Sequence, residues 1–247
     1  GGGENHVQLD LGDPVELGRG IEAIRHKLAD GRLDALVNNA AISPKGKNGS
    51  RLGAIDTPFD LWRQVFNVNF FAPVALARGL IEELSTAQGC VVNVTSIAGS
   101  RVHPFAGSAY ATSKAALAAL TREMAHDFGP RGIRVNAIAP GEIDTAILSP
   151  GTESIIPNIP LHRLGTTDEV VITRFEPPRT FAIRHEGHFV GEGEITLVAL
   201  DRERTRVDWM EYLRPPLFGT LGGFLQRPIL AAIFRSDLRS LRALLAR

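Results

Sequence analysis

The apolar residues of this chain change their period once, near residue 168, and that change limits what the chain can fold into more than any other feature. Before it, short apolar runs alternate with longer stretches at helical spacing, the pattern of parallel strand-helix-strand units. His6-Val7-Gln8-Leu9-Asp10 reads as a strand ending in an acid, Val15 to Leu28 as a helix, and Leu33 to Val37 as a buried strand closed by Asn38-Asn39. Phe59 to Leu84 carries one long helical period, Cys90 to Thr95 is a strand, Ser108 to Phe128 an alanine-rich helix, and Ile133 to Ala139 a strand ended by Pro140-Gly141. Strand-to-loop junctions therefore fall at Asn38, Ser96 and Pro140. In an open parallel sheet such junctions share the carboxyl edge, where ligands bind.

After residue 168 the period is two. Thr166 and Glu169 have capping-box spacing, yet Val170 to Phe175 is β-rich and runs into Pro177-Pro178, so a strand is expected where the cap announces a helix. Phe181 and Ile183, then Ile195, Leu197 and Ala199, then Val207 and Trp209 alternate with other side chains, with turns at Gly191-Glu192-Gly193 and Asp201-Arg202. That is an antiparallel meander. Every lysine (Lys27, Lys45, Lys47, Lys114) precedes the change, and the basic residues after it are all arginine. Ile229, Leu230, Ile233, Phe234, Leu238, Leu241 and Leu245 close the chain at the spacing of an amphipathic helix. The expectation is an α/β domain over residues 1–168 and an α+β domain, meander plus C-terminal helix, over 169–247.

Composition narrows the function classes. The 247 residues suit one large domain or two small ones, at about 150 residues each. A formal net charge of +0 argues against nucleic acid as a partner. No apolar run reaches the roughly 18 residues of a membrane span, and the N-terminus lacks the pattern of a signal peptide. Cys90 stands alone, reads as a small buried hydrophobe, and leaves the cytoplasm as the expected compartment. The missing initiator methionine points to a processed, truncated or fragmentary chain. His185 and His188, with Gly187 between them, lack the spacing of a helical zinc motif, so no metal is expected. Arg235, Arg239, Arg242 and Arg247, with Asp237 interspersed, read more simply as a solvated helix face than as a membrane-binding one.

The residues with chemistry to offer lie in the first part. Tyr110 and Lys114 are one helical turn apart on one face. At about 4 Å and an effective dielectric near 20, an ammonium stabilises a phenolate by about 4 kcal/mol, or roughly three pK units. That brings a phenol toward neutrality as a proton donor and acceptor. Surface neighbours share this spacing, so context decides. Ser96 ends an apolar strand upstream of Tyr110, within reach of one shared substrate oxygen. Asn69 is an amide on an otherwise apolar helix and needs partners if buried. Asn38-Asn39-Ala40-Ala41 suits bridging between strand ends, and Pro140-Gly141-Glu142-Ile143-Asp144-Thr145 offers a rigid turn, open backbone and a hydroxyl. His103, between Ser96 and Tyr110, either touches substrate or, more simply, is a solvated loop residue.

These segments resemble the short-chain dehydrogenases/reductases of the classical type: Asn38 to Ala41, Asn69, Val94-Thr95-Ser96, Tyr110 to Lys114, and Pro140-Gly141 through Thr145, with Ile159 to Gly165 similar to the segment after the family's substrate loop. The resemblance covers about residues 6–170 and implies a Rossmann-like doubly wound parallel sheet with NAD or NADP as cofactor. It implies hydride transfer between nicotinamide and a small secondary alcohol or its ketone. Tyr110 would exchange the proton, Lys114 would lower its pKa and hold the nicotinamide ribose, Ser96 would orient the substrate oxygen, and Asn69 would position a relay water. Asn38 and Ala40 would line the adenosine side and Asp10 and Leu11 would contact adenine. Pro140 and Gly141 would form the turn that leads Ile143 and Thr145 to the carboxamide and phosphates. A homo-oligomer through the helices bearing Asn69 and Tyr110 is implied as well.

The family's glycine-rich cofactor turn does not appear; Gly1-Gly2-Gly3 follows no strand, so the sheet is expected to be incomplete and the cofactor site partial. In the family's strand order, 3-2-1-4-5-6-7, the Asp10 strand would stand roughly 14 Å from the Asn38 strand. Residues 171–247 resemble the second half of a START-like polyketide cyclase (SRPBCC) domain, a fold that wraps an apolar cavity. Two rivals to the oxidoreductase reading follow: a non-catalytic binding module for apolar ligands, and an inactive chimera of partial domains. NAD and NADP are not distinguished, and the loop from Ile147 to Ile159 that would shape the substrate does not name it.

Overall fold

A computed structural model describes residues 6–159, 162–167, 170–176, 179–185, 190–200 and 205–214. The expected C-terminal helix and the Glu186-Gly187-His188 segment lie outside the described residues. The chain divides into two compact units, Gly1–Gly165 and Thr166–Arg247.

The first unit is α/β. Helix α1 (Pro14–Lys27) starts because Asp13 accepts hydrogen bonds from Val15 N and Glu16 N and Pro14 presets the first turn. Strand β1 (Ala35–Asn38), β2 (Cys90–Val94) and β3 (Arg134–Ile138) form a parallel sheet in that order. Ala35 pairs with Cys90 and Asn38 with Asn93, while Cys90 pairs with Arg134 and Val94 with Ile138. Between β1 and β2 run α2 (Phe59–Phe66), α3 (Ala72–Gly79) and α4 (Ile81–Ala87). Between β2 and β3 runs α5 (Ser108–Phe128). All three strands therefore point the same way, and Asn38, Ser96 and Pro140 lie at one edge.

Ala77, Leu84, Val91, Met124, Ile133 and Val135 make the core between sheet and helices. Leu84 and Val91 are wholly buried, a contribution of about 1.5–3 kcal/mol per side chain. Gly89 is required where α4 returns to the sheet, because a Cβ there would sit 2.5 Å from Leu33 O.

Two expectations are corrected. His6 to Asp10 is not a strand: among the described residues no strand pairs with it, and its apolar residues pack instead, Leu9 joining Leu17, Ile21, Ala72 and Leu80. Asp10 turns the chain, its Oδ1 accepting from Gly12 N at 2.7 Å. Among the described residues the parallel sheet begins at β1, so the Asp10 segment is not one of its strands. The period from Phe59 to Leu84 is also not one helix. Asn67–Phe71 is a π-turn, with Ala72 N donating to Asn67 O, and the helix breaks again at Leu80.

The second unit is an antiparallel sheet, β4 (Val170–Glu176), β5 (Thr180–His185), β6 (Val190–Ala199) and β7 (Thr205–Arg214), paired in chain order. Phe181 pairs with Ile195, so Phe181, Ile195 and Leu197 share a face. Phe181 and Leu197 are 37% and 39% exposed. Thr180 and Ala182, of the opposite parity, are buried.

Candidate active site

The carboxyl edge of the parallel sheet gathers the residues singled out above, beginning with Asn38. Asn38 Nδ2 donates to Asn93 Oδ1 at 2.8 Å, and Asn93 Nδ2 donates to Thr121 Oγ1 on α5 at 3.0 Å. This buried chain locks β1, β2 and α5 together. Asn93 and Thr121 were not singled out from sequence, although a polar residue inside an apolar strand was the available signal. Ala40 is exposed just beyond.

Asn69 sits inside the π-turn, fully buried. Its Oδ1 accepts from Ile42 N at 2.9 Å, and its Nδ2 donates to Ile42 O at 3.0 Å and to Ser113 Oγ at 3.1 Å. Ser113 Oγ donates in turn to Tyr110 O at 2.7 Å. The extra residue of a π-turn redirects one side chain out of helical register, and here it aims that amide at the loop after β1 and at α5. Asn67 Nδ2 donates to Gly12 O at 3.4 Å, which brings the segment carrying Asp10 and Leu11 beside this turn.

Ser96 follows β2 in extended conformation, its Oγ accepting from Ala98 N at 3.2 Å. The tight turn behind it, Ile97–Gly99, rests directly on α5: a Cβ on Gly99 would lie 2.8 Å from Ala115 N and 2.9 Å from Lys114 C. That approach brings Ser96 beside Tyr110, close enough for its hydroxyl to act on the phenol and lower its pKa.

Lys114 is 2% exposed, and its Nζ donates to Val94 O at 2.6 Å. Burial pushes its pKa down to about 8. Nζ lies 5.9 Å from the centroid of the Tyr110 ring. The Tyr110 pKa is nevertheless raised, first by burial and also by the Glu142 charge, against a lowering by the Ser96 hydrogen bond. The expected depression of the phenol by the lysine is thus corrected. Desolvation of the phenolate is the largest cause, and burial holds the neighbouring ammonium's own pKa down.

At the third strand end, Ile97 N donates to Pro140 O at 3.2 Å, which sets Pro140-Gly141 against the Ser96 turn. Ile143 bridges to Gly165, and Thr145 is exposed, its Oγ1 donating to Ile143 O at 3.3 Å. His103 is not a solvated loop residue: its Nε2 is 2.5 Å from Glu142 Oε1 and both side chains are largely buried. Glu142 was passed over in the sequence because its partner is remote in the chain.

The donor set suits the nicotinamide half of a dinucleotide. An ammonium has three N–H groups, and among the described residues only Val94 O accepts from Lys114, so two N–H groups remain for a ribose diol. Near the Asn67 turn, Asp10 is bonded within its own segment, and Leu11 packs against the cluster of Leu17, Ile21, Ala72 and Leu80.

A parallel sheet with Ser96, Tyr110 and Lys114 converging at its carboxyl edge makes this unit a Rossmann-like α/β protein. The family model described as enoyl-(acyl carrier protein) reductase matches residues 1–173, and the chain belongs to the short-chain dehydrogenase/reductase family. It is similar to Protein FixR of Bradyrhizobium diazoefficiens, 59% identical over 170 residues that make up 68% of this chain and 61% of FixR. Among solved structures it is similar to a short-chain dehydrogenase/reductase family oxidoreductase from Brucella ovis in complex with a partially ordered NAD. The identity is 68% and the TM-score 0.58, over 60% of this chain and 67% of that one. A 3-oxoacyl-[acyl-carrier protein] reductase with bound NAD from Brucella melitensis is 34% identical with a TM-score of 0.55, over 64% of this chain and 57% of that one. The chain spans 61% and 64% of the length of the first two curated relatives it matches.

Proposed function

We propose that the first unit carries out NAD(P)-dependent hydride transfer between nicotinamide and a secondary alcohol or its ketone. The observation that carries this reading is the convergence of Ser96, Tyr110 and Lys114 at the end of β2, with Asn69 turned toward the same helix. A bound dinucleotide supplies the hydride chemistry; the protein supplies orientation and proton transfer. Because its pKa is raised, Tyr110 stays protonated and is suited to donate its phenolic proton to a carbonyl oxygen that receives hydride at carbon. Ser96 donates a hydrogen bond to that oxygen, and Lys114 turns its two spare N–H groups to the ribose. Asn69, with both N–H groups engaged, keeps one lone pair of Oδ1 for a relay water. Asn38 and Ala40 flank the adenosine side, Asp10 and Leu11 the adenine, and Pro140, Gly141, Ile143 and Thr145 the carboxamide and phosphates.

In this reading the described residues grip the nicotinamide end more fully than the pyrophosphate, so the chain by itself binds NADH or NADPH more weakly than about 1 μM, equivalent to about 8 kcal/mol. Phe59 at the start of α2 and Phe71 in the π-turn, both exposed, support pairing of two copies through this part of the chain. Initial rates with NADH and NADPH over a panel of ketones test the reading: turnover that Tyr110→Phe abolishes supports it, and turnover indifferent to that change overturns it.

A second reading belongs to the antiparallel sheet, whose part-exposed Phe181 and Leu197 suit an apolar ligand. It requires uptake of an apolar fluorophore that is lost on truncation after residue 168. A chain that shows neither turnover nor uptake is the inactive composite.

A further inference from the structure

The loop that joins Ser96 to Tyr110 is fastened by a side-chain pair that the proton transfer above does not use. His103 Nε2 and Glu142 Oε1 lie 2.5 Å apart, with the two side chains 11% and 10% exposed. The other ring nitrogen fixes the direction of this hydrogen bond. His103 Nδ1 accepts from Phe105 N and Ala106 N, each at 3.2 Å, so it bears no proton; the ring proton is on Nε2 and is donated to the carboxylate. The imidazole is neutral, and Glu142 keeps its charge. Among the described residues no donor reaches its second oxygen, Oε2.

Both chain segments that carry this pair are tied to elements bearing the Ser96 and Tyr110 site. Glu142 follows Pro140-Gly141, whose Pro140 O is bonded to Ile97 N beside Ser96, and Glu142 O accepts from Gly165 N at 2.7 Å. His103 caps the turn that leads through Gly107 into α5 and Tyr110. Among the described residues, the charged and titratable groups that bear on the phenol are Lys114 on α5, 5.9 Å from the ring centre, and Glu142 after β3, to which His103 of the preceding loop is bonded. Lys45, from the loop after β1, is bonded to Ser43 Oγ and Phe105 O. Glu142 is near enough that its charge acts on the Tyr110 hydroxyl.

We propose that Glu142, held in place by His103, is a specificity-determining residue that receives a hydroxyl on the carbon next to the reacting one, so that the site takes neutral α-hydroxyketones and vicinal diols in preference to keto or hydroxy carboxylates. This rests on the oxidoreductase reading above. A largely buried carboxylate with an open oxygen accepts a charge-assisted hydrogen bond, roughly twice as strong as a neutral one. A substrate carboxylate in the same place would instead set two like charges together in a poorly solvated crevice. In the reduction the carbonyl carbon receives hydride from the reduced nicotinamide and the carbonyl oxygen receives the Tyr110 proton. The product is the diol, the phenolate is reprotonated from solvent, and the hydroxyl on Glu142 is unchanged.

The test has one arm that needs no turnover. Tyr110 and Tyr212 are the chain's 2 tyrosines, so in a Tyr212→Phe background the tyrosinate absorbance reads Tyr110 alone. Glu142→Gln keeps the size of the side chain and the His103 contact, and circular dichroism checks its fold. The midpoint of the Tyr110 titration is expected to move down in that variant; an unmoved midpoint overturns the proposal, because the carboxylate then does not reach the phenol. In the second arm, Glu142→Gln lowers the ratio of kcat/KM for an α-hydroxyketone to that for an α-keto acid of matched size by about tenfold or more. Turnover with an unchanged ratio overturns the specificity role and leaves the oxidoreductase reading standing. A moved midpoint with no turnover of any carbonyl compound overturns both.

Discussion

Lys114 Nζ is bonded to Val94 O at 2.6 Å and stands 5.9 Å from the centre of the Tyr110 ring. The lysine is thus anchored to the end of β2 and lies alongside the phenol without being paired to its oxygen. This anchoring makes it a buried cation with one acceptor among the described residues, and its depressed pKa follows from the burial.

A pH dependence of stability follows directly. With a folded-state pKa near 8 against an ordinary 10.5, Lys114 binds fewer protons folded than unfolded between those values. Its burial therefore costs stability below about pH 8, and the cost is relieved as pH rises toward 10.5. Lys114→Met carries no such charge. The stability of this variant relative to the parent, taken from urea unfolding, should fall between pH 7 and pH 10; a difference flat with pH would contradict the assignment.

Asn69 offers a second measurement. Removing its amide by Asn69→Ala leaves Ile42 N, Ile42 O and Ser113 Oγ with lost partners in a buried place. At about 1–3 kcal/mol for each stranded polar group, partly relieved by water, a loss of about 2–4 kcal/mol is expected. A change below about 1 kcal/mol in the unfolding free energy would show that the π-turn holds without it.

Two glycines should respond in opposite senses to alanine. Gly99→Ala places a methyl against the α5 backbone and should cost about 1–3 kcal/mol, with the Ser96 turn pushed off the helix. Gly18→Ala lies in α1 with nothing within 4 Å of its new Cβ and should gain about 0.5–1 kcal/mol. Thermal melts of the two variants decide this, and equal effects would count against the close contact at Gly99.

The Asn38 to Asn93 bond can be weighed by a double-mutant cycle. Asn38→Ala and Asn93→Ala remove two ends of a single buried bond. Their combined cost should fall short of the sum of the single costs by about 0.5–3 kcal/mol. Strict additivity would mean that the two amides act separately.

The sequence by itself determined the elements whose cause is local. The helix Ser108–Phe128, the strands Cys90–Val94 and Arg134–Ile138, and the change from helical to alternating period near residue 168 all reside in the spacing of neighbouring side chains. Placement of Tyr110 and Lys114 on one helix face is a property of the same kind. Tertiary structure alone decided what depends on distant partners. The π-turn at Asn67–Phe71 exists with Ile42 and Ser113 to receive Asn69, and His103 finds Glu142 across 39 positions. His6 to Asp10 has strand-like periodicity, but a strand needs a neighbour to pair with, and here its leucines pack against α1 and α3 instead. The raised Tyr110 pKa belongs with these. Charge separation is readable from helical spacing, whereas desolvation depends on everything that folds over the group, and for Tyr110 desolvation is the larger effect.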